Sequence, residues 1–354
     1  MKKFTLFLSN ISNDLLTKDV GIIPFIMQKY YGYKSSIISL KTENEIFDNK
    51  KYLEGLEVQI LKSNEQLNEE LKKTDVLMLI GIYDFNISIS SLYKSLNPSG
   101  KIYLKLDANL YWMQSIDKTM NQQTFNFLKS CYKISVESRS LQNILNSMWN
   151  LDIQFSTNGY YDFIDDKIIE YEDKKNIILF VGRVGAPEKN NQLLLEAFKN
   201  IEDKIKDWKL EFAGPVDDNF LIYLNKYFIE NEHLRSRIVL SGKHDKNGLK
   251  KVYKDAKVFC LTSYSEACAN VFSESVSNGC YLVSSDVNSV IDIIDYGRYG
   301  AIFPINNIDK LSQTLLEVCT NDDLLRKNCK VSQIYARDNL HWINICGEIN
   351  KMLI

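Results

Sequence analysis

The chain has 354 residues, of which 45% are hydrophobic and 25% charged, and its formal net charge is −2. This composition is typical of a soluble globular protein, and the length suits two domains better than one core. A nearly neutral chain offers no broad basic surface, which argues against a nucleic-acid partner.

Cysteine usage and the lack of long apolar runs bear on the location of the protein. The seven cysteines form no Cys-x-x-Cys pair and several lie in apolar runs, so we expect reduced, buried thiols of a cytoplasmic protein. The opening MKKFTLFLSN is too short in apolar residues for a signal peptide. No run approaches the ~20 apolar residues of a membrane span, which leaves docking at the inner face of a membrane open.

Strand-like runs alternate with helical segments through the first half of the chain. The run 4–8 predicts a strand, and the segment 20–31, which ends at Gly32, predicts a helix. Further strands are predicted at 36–40, 58–61, 76–82, 101–106, 133–136 and 153–156, with helices at 65–73 and 141–149. Alternation of this kind predicts a parallel sheet covered on both faces.

A charged stretch at 162–175 without a clean period indicates a domain boundary. The alternation restarts after it, with strands predicted at 177–181, 209–213, 237–240, 258–262, 281–284 and 301–304, and helices at 192–198, 220–230, 249–254, 270–278 and 308–319. We therefore predict an α/β protein with two doubly wound, Rossmann-like domains, 1–163 and 164–337, on either side of a central cleft.

The second half is organised around the stretch VFCLTSYSEACANVFSESVSNGCYLVSSD at 258–286. Its pattern predicts a strand, a short helix and a second strand, with Glu266 before the helix and Glu274 on it. Eight helical residues span roughly 12 Å, about the length of a nucleotide diphosphate sugar, so one acid could meet the sugar and the other the ribose. Two acids near a helix start are also common on solvated surfaces, and that alternative stays open.

This stretch resembles the Glu-x7-Glu signature of the retaining glycosyltransferases of family 4, which have the GT-B fold. The resemblance implies that Glu266 lies near the transferred sugar and that Glu274 hydrogen-bonds the ribose hydroxyls. It also implies that a C-terminal segment, about 338–354, crosses back to the N-terminal domain. The start of the short helix offers backbone N–H groups and a positive dipole end to a diphosphate, which assigns Ala269, Asn270 and Val271 to donor binding.

A second block, GRVGAPEKN, also follows a predicted strand. Arg183 and Lys189 could clamp a diphosphate there and stabilise the charge that develops as the glycosyl bond breaks; two loop cations in solvent are the alternative. The spacing resembles the second diagnostic block of the same family, which implies that Gly182, Arg183 and Lys189 bind the donor.

Three further donor positions rest on the same resemblance. The block IVLSGKHD is similar to a family strand after which Lys243 and His244 lie near the nucleobase. The family carries a glycine-rich loop after its first strand, and here only Gly21 in NISNDLLTKDVGIIPF can take that role, since no Gly-Gly pair is present.

Asp107 is the candidate catalytic carboxylate of the first half, because it follows the predicted strand at 101–106. Many relatives have a His or Asp at this position, and a carboxylate could stabilise an oxocarbenium-like transition state or orient the acceptor. Tyr111 and Trp112 could stack on the acceptor sugar, although aromatic residues are usually core. A helix N-cap or turn former is the alternative for Asp107.

The sequence therefore predicts a metal-independent, retaining glycosyltransferase without a cofactor. No Asp-x-Asp pair is present to bind a metal-bound diphosphate, and Arg183 and Lys189 would supply the positive charge. The donor is a nucleotide diphosphate sugar, with UDP favoured over GDP, and the acceptor a saccharide, glycolipid or glycoprotein of bacterial surface synthesis. A catalytically silent partner subunit of the same fold and a nucleotide-sugar epimerase are the rival functions.

Overall fold

The computed structural model describes residues 1–42, 51–163 and 167–354. Within these ranges the chain divides into two compact units. The first unit contains Met1–Tyr161 together with His341–Ile354, and the second contains Asp162–Leu340. The sequence places the boundary at 163/164, and residues 164–166 beside it lie outside the described residues.

The first unit is an alternation of strands and helices that ends with a helix from the chain terminus. Its elements are β1 (Lys3–Leu8), α1 (Asp19–Tyr31), β2 (Lys34–Ser39), β3 (Glu57–Ile60), α2 (Asn64–Lys72), β4 (Val76–Ile80), α3 (Asp84–Leu96), β5 (Lys101–Lys105), α4 (Leu110–Thr119), α5 (Gln122–Ser130), β6 (Lys133–Val136), α6 (Arg139–Trp149) and β7 (Ile153–Phe155).

The described strands of the first unit form one parallel sheet in the order β3-β2-β1-β4-β5-β6-β7. Strand β4 is continuously apolar and β5 is apolar between its two terminal lysines, as expected for strands with both faces covered. The strand order reverses between β1 and β4. A reversal of this kind opens a crevice at the carboxyl ends of the two strands, where α/β proteins bind their ligands.

The second unit repeats this architecture. Its elements are β8 (Lys175–Val181), α7 (Asn191–Ile201), β9 (Lys209–Ala213), α8 (Asp218–Glu230), β10 (Ile238–Gly242), α9 (Lys246–Asp255), β11 (Ala256–Leu261), α10 (Asn270–Ser277), β12 (Tyr281–Ser285), α11 (Val290–Ile293), β13 (Gly300–Phe303), α12 (Ile308–Cys319) and α13 (Asp322–Asn339). The described strands are again parallel, in the order β10-β9-β8-β11-β12-β13, with the reversal between β8 and β11.

The last helix, α14 (Trp342–Leu353), belongs to the first unit and packs against α1. Tyr31 donates a hydrogen bond to the carbonyl oxygen of Ile343 at 2.6 Å, and Tyr33 donates one to Asn350 Oδ1 at 3.1 Å. The buried face of the helix consists of Trp342, Ile345, Cys346, Ile349 and Leu353. The predicted fold, with two Rossmann-like domains and a helix returning to the first, is confirmed.

Five of the helices in the described part of the chain were not predicted from the sequence, namely α3, α4, α5, α11 and α13. The longest of them, α13, buries Asn328, Ser332 and Gln333 beside its apolar residues, which weakens the apolar period. Gln333 is buried because its side chain exchanges hydrogen bonds with both backbone groups of Ile169. A polar residue with such a partner is compatible with a core. The amino-acid sequence around Gln333, however, does not indicate that Ile169 is its partner.

Candidate functional site

Two loops leave the central strands of the second sheet at its carboxyl end. Strand β8 is followed by Gly182 and Arg183, and β11 by the loop that carries Glu266. The two strands are direct neighbours at the reversal of the strand order. Since ligands of open α/β sheets bind at this position, the two loops define the candidate site of the second unit.

Lys189 and Glu266 join these loops through an ion pair. The Nζ atom of Lys189 lies 2.5 Å from Oε1 of Glu266, and both side chains are mostly buried. Ser263 donates a hydrogen bond to the same carboxylate oxygen at 2.6 Å. Within the described residues, Oε2 of Glu266 has no hydrogen-bond partner, so this oxygen is available to a ligand hydroxyl.

Hydrogen bonds to the backbone hold the two loops against each other. The hydroxyl of Thr262 donates to the carbonyl oxygens of Lys189 and Asn190, at 2.9 and 3.0 Å. The N–H group of Tyr264 donates to the carbonyl oxygen of Glu188 at 2.9 Å. The ion pair therefore rests on a fixed backbone and does not depend on two mobile side chains meeting.

Arg183 has a different partner from Lys189. Its guanidinium group pairs with Glu188 in the same loop, and its side chain is 71% exposed. An exposed pair of this kind contributes only about 0–1 kcal/mol to stability, so the guanidinium group can exchange Glu188 for an anionic ligand at little cost. The structure thus brings Lys189 to Glu266 directly and leaves Arg183 at the solvent boundary.

Glu274 lies on α10, and both of its carboxylate oxygens have partners. Oε1 lies 3.3 Å from Nζ of Lys246, and Oε2 accepts a hydrogen bond from the hydroxyl of Tyr253 at 3.1 Å. Burial, and then the charge of Glu274, raise the pKa of Tyr253 well above its ordinary value, so Tyr253 remains a donor. A carboxylate oxygen accepts more than one hydrogen bond, and Glu274 can therefore also accept from ribose hydroxyls.

The other predicted donor residues of the second unit lie at α10 and after β10. Ala269 is the N-cap of α10, and Asn270 and Val271 are its first residues. Lys243 is exposed, and His244 is half-buried in the loop that follows β10. Buried side-chain atoms without a partner in the described structure include Oδ1 of Asn270 and Nε2 of His244. Polar atoms left in this state are candidates for ligand contacts.

Asp107, in the first unit, lies next to a buried cluster of charged side chains. The fully buried ammonium of Lys105 lies 2.7 Å from Glu137 Oε1 and 3.0 Å from Asp19 Oδ2. The carboxylate of Glu137, also fully buried, accepts hydrogen bonds from the backbone N–H groups of Asp107 at 3.1 Å and Ala108 at 3.2 Å. Glu137 therefore fixes the backbone that presents Asp107.

The conformation and the ionisation of Asp107 both depart from the ordinary. Its φ of 50° is in the left-handed region, which costs free energy for a residue with a side chain. The residue is exposed, yet its pKa is raised to about 6; desolvation is the largest cause, the Lys105 ammonium opposes it, and the carboxylates of Glu137 and Asp19 add to it. Helix α4 is capped by Asn109, so Asp107 is not its N-cap.

The two predicted stacking residues, Tyr111 and Trp112, have different surroundings. Tyr111 is 64% exposed. Trp112 is half-buried against the core of the first unit, where its ring meets that of Trp149 edge-on at 6.4 Å. A stacking role stays a prediction for both, and packing accounts for Trp112 without a ligand.

Gly21 lies within the first turn of α1 and not in the loop before it. Its N–H group donates to the carbonyl oxygen of Lys18 at 3.0 Å. A Cβ atom at this position would lie 1.9 Å from the carbonyl oxygen of Leu16, so close packing requires the glycine. Contact with a phosphate through Gly21 stays a prediction.

Several residues of both sites were missed from the sequence, namely Ser263, Lys246, Tyr253, Lys105 and Glu137. Ser263 and Glu137 follow the ends of β11 and β6 closely, so the strand-end argument that selected Asp107 applies to them as well. Nothing in the sequence pairs Lys246 and Tyr253 with Glu274, because the approach of α9 to α10 is a tertiary contact.

The structure also bears on metal ions and membranes. Among residues 1–42, 51–163 and 167–354, no three His, Cys, Asp or Glu side chains are grouped so that they could hold a metal ion. None of the described helices is long and apolar enough to cross a membrane.

Comparison with known proteins shows that the second unit is similar to glycosyltransferases. Residues 163–333 match the family described as glycosyl transferases group 1. Phosphatidyl-myo-inositol mannosyltransferase of Mycobacterium leprae is 24% identical over 176 residues, which cover 49% of this chain and 45% of the relative. A Campylobacter jejuni α-1,4-N-acetyl-D-galactosaminyltransferase, named for an undecaprenol-linked GalNAc acceptor, is 26% identical over 189 residues, 51% of this chain and 50% of the relative. The chain thus spans about half the length of these curated relatives.

Solved structures extend the likeness to the whole chain. A glycosyltransferase from Rickettsia africae superposes with a TM-score of 0.76 at 17% identity, covering 99% of this chain and 98% of the other. Anabaena HepE in complex with UDP-glucose gives a TM-score of 0.73 at 12% identity, with 100% and 99% covered. The chain therefore has the GT-B fold of these glycosyltransferases, and its residues 163–333 match glycosyl transferases group 1.

Proposed function

We propose that this chain is a retaining glycosyltransferase that moves a sugar from a nucleotide diphosphate sugar, UDP favoured over GDP, to an acceptor hydroxyl. The observation that carries the proposal is the Lys189–Glu266 pair, with Ser263, at the carboxyl ends of β8 and β11. It lies inside the segment that matches glycosyl transferases group 1. A mostly buried cation and acid at this place suit a ligand that carries both phosphates and sugar hydroxyls.

The second unit binds the donor in this proposal. Oε2 of Glu266 accepts a hydroxyl of the transferred sugar, and Glu274 accepts the ribose hydroxyls. Arg183 and Lys189 bind the diphosphate, together with the backbone N–H groups at the start of α10. Gly182, Lys243 and His244 complete the donor site, with His244 offering its buried ring nitrogen to the base.

Lys189 has a particular part in the departure of the leaving group. Its ammonium is already fixed by Glu266 and by the backbone contacts of its loop, so little reorganisation is needed when negative charge grows on the diphosphate. Charge stabilisation by such preorganised groups is usually the largest contribution to catalysis. Because cations and a helix dipole supply it, the proposal includes no metal ion or other cofactor.

Asp107 is the proposed acceptor-side carboxylate of the first unit. Its raised pKa makes its carboxylate a stronger hydrogen-bond acceptor than that of an ordinary aspartate. It would orient the acceptor hydroxyl, with Tyr111 and Trp112 nearby in the chain. In a retaining reaction on one face of the sugar, the departing phosphate oxygen accepts the proton of the attacking hydroxyl.

The names of the relatives indicate an acceptor class. One is named for phosphatidyl-myo-inositol and another for a saccharide on undecaprenol diphosphate. By this analogy the chain would act in the cytoplasm or at the inner face of a membrane, in the synthesis of a surface polysaccharide, glycolipid or glycoprotein.

The test is turnover of a donor panel by the purified chain. UDP-glucose, UDP-galactose, UDP-N-acetylglucosamine and GDP-mannose would each be supplied with a mixture of methyl glycosides, and the released nucleoside diphosphate measured. We expect release from a UDP-sugar, a product with the donor's anomeric configuration by NMR, and unchanged rates in excess EDTA. Lys189→Met and Glu266→Gln should each lower kcat by about 100-fold or more, the usual effect of removing a preorganised electrostatic contact.

Lys175→Met and Asp255→Asn are the matched controls. These residues form an ion pair of 2.8 Å in the same unit, but Lys175 begins β8 at the opposite edge of the sheet, so turnover should be unchanged. A chain that binds UDP but releases none from any donor would be the silent partner subunit. Sugar interconversion without transfer would indicate the epimerase, and loss of activity in EDTA would refute the metal-free mechanism.

A further inference from the structure

An exposed pair of aromatic rings stands at the carboxyl edge of the first sheet. The rings of Tyr83 and Phe85 are stacked nearly parallel, with centroids 5.3 Å apart and planes inclined by 9°. Tyr83 is 52% exposed and Phe85 38%. Neither residue is used by the mechanism above.

The pair lies beside Asp107. Strands β4 and β5 are adjacent, with Ile80 opposite Lys105 at their ends, and the N–H group of Gly81 donates to the carbonyl oxygen of Lys105 at 2.8 Å. The loops that carry Tyr83 and Asp107 therefore leave the sheet side by side. Burial, and then the charge of Asp107, raise the pKa of Tyr83, as expected for neighbouring groups.

The backbone next to the aromatic pair fixes the position of the two rings. Gly81 has a φ of 74°, and a Cβ atom there would lie 2.4 Å from the ring of Tyr83, so only glycine allows the ring to take this position. The buried side chain of Asn86 donates to the carbonyl oxygens of Ile80 and Gly81, at 2.8 and 2.9 Å. Phe7 of β1 flanks Phe85 at 6.4 Å. The stack is thus fixed at the reversal of the strand order, where ligands bind.

A saccharide has the chemistry that matches this arrangement. A pyranose ring presents an apolar face of C–H groups, which packs on aromatic rings, and hydroxyl groups at its rim, which donate to a carboxylate. We propose that Tyr83, Phe85 and Asp107 form a saccharide subsite for the acceptor, with the sugar ring on the aromatic pair and one hydroxyl donating to Asp107. The inference rests on the proposed glycosyl transfer and gives it an acceptor site.

The aromatic pair offers a more open stacking surface than Trp112. The ring of Trp112 is already in contact with Trp149 and the core of the first unit, whereas Tyr83 and Phe85 keep open surface. The fixed backbone of Asp107, held by Glu137, then sets the distance between the stacked ring and the hydroxyl that the carboxylate accepts.

Saturation-transfer NMR with simple sugars tests the subsite without catalysis. Methyl α-D-glucopyranoside, methyl α-D-galactopyranoside and methyl α-D-mannopyranoside would be titrated against the full chain. We expect saturation of the C–H groups of one ring face for at least one glycoside. Its affinity should fall by about tenfold in Tyr83→Ala and in Asp107→Asn. Tyr132→Ala is the control, because Tyr132 is 44% exposed at the opposite edge of the same sheet and its loss should leave the affinity within twofold.

Three outcomes would overturn the subsite: no saturation transfer from any glycoside, equal affinities in the wild type and in a folded Tyr83→Ala, or a loss in Tyr132→Ala of the same size. Phe85→Leu, which keeps an apolar side chain, serves if Tyr83→Ala does not fold. Binding of phosphatidylglycerol vesicles that Tyr83→Ala abolishes, without any glycoside effect, would show a lipid surface instead. Stabilisation by UDP reports the donor site separately, so failure of the subsite is distinguishable from failure of the proposed function.

Discussion

Lys105 is a fully buried lysine of the first unit. Removing the ammonium of Lys105 from water costs several kcal/mol, and the structure offsets this with two carboxylates, Glu137 and Asp19, within 3.0 Å. Burial lowers the pKa of Lys105, but the surrounding acids outweigh it and raise the pKa well above the ordinary value. The residue is therefore charged, and its partners cannot be removed cheaply.

Glu137→Gln tests this dependence. The change keeps the size of the side chain, removes one of the two compensating charges, and turns an acceptor of two backbone N–H groups into an amide with one acceptor oxygen. We expect the free energy of unfolding in urea to fall by about 3 kcal/mol, the usual cost of breaking a buried pair. Adding Lys105→Met should recover only part of the loss, because it removes the buried ammonium but leaves the buried carboxylate of Asp19 without that cation.

Glu348→Gln is the control for Glu137→Gln. Glu348 pairs with Lys351 at 2.7 Å in the same unit, but both side chains are about 70% exposed, and exposed pairs contribute at most about 1 kcal/mol. Equal losses in the two variants would mean that the buried cluster has no special weight in the stability of the first unit.

At the residue level, the sequence indicates which side chains lie at the carboxyl end of a sheet. It does not indicate which groups these side chains pair with. Lys189 and Glu266 follow neighbouring strands, and the structure brings them into contact. Arg183 follows β8 more closely than Lys189 does, yet it pairs locally with Glu188. The difference depends on side-chain direction in an irregular loop, which no periodic pattern encodes.

Two elements with a clean apolar period are observed where the sequence predicts them, whereas buried polar residues obscure the pattern of one missed helix. The helix at 308–319 is observed as Ile308–Cys319, and the strand at 209–213 as Lys209–Ala213. Helix α3, in contrast, buries Asn86 and Ser90 beside its isoleucines. Asn86 is there to hydrogen-bond the end of β4, a tertiary reason that overrides the local pattern.

At the level of elements, the packing of helix α14 on the first unit can be tested by substitution. Ile349 is fully buried on the face that packs with the first unit, so Ile349→Ala should lower the free energy of unfolding by about 2–5 kcal/mol. Because the helix contacts α1, amide hydrogen exchange should accelerate in α1 and stay unchanged in α7 of the second unit.

Ile354→Ala is the matched substitution, since Ile354 is 74% exposed at the end of the same helix and should change stability by less than about 0.5 kcal/mol. Faster exchange in α7 than in α1 after Ile349→Ala would contradict the assignment of the last helix to the first unit.

At the scale of the whole molecule, the two units have the same kind of sheet topology. Each unit has a parallel sheet with one reversal of strand order, and each reversal carries a candidate site, Asp107 with Tyr83 in the first and Lys189 with Glu266 in the second. The alternation of elements is enough to predict two such sheets from sequence. The partners inside each site are set by contacts between distant segments, such as Glu137 with Asp107, and these follow only from the folded chain.

The last prediction concerns the assignment of donor binding to the second unit and of acceptor binding to the first. Apart from Gly21, the predicted donor residues belong to the second unit, so UDP at 100 times its Kd should stabilise that unit by about 2.7 kcal/mol. Hydrogen exchange should slow in the loop after β8 and in α10, whereas β4 and β5 of the first unit should exchange as before. Lys189→Met should abolish most of the protection, and Lys175→Met, at the far edge of the same sheet, should preserve it. Protection confined to the first unit would place the nucleotide there and refute the donor assignment, and stronger protection by GDP than by UDP would reverse the choice of base.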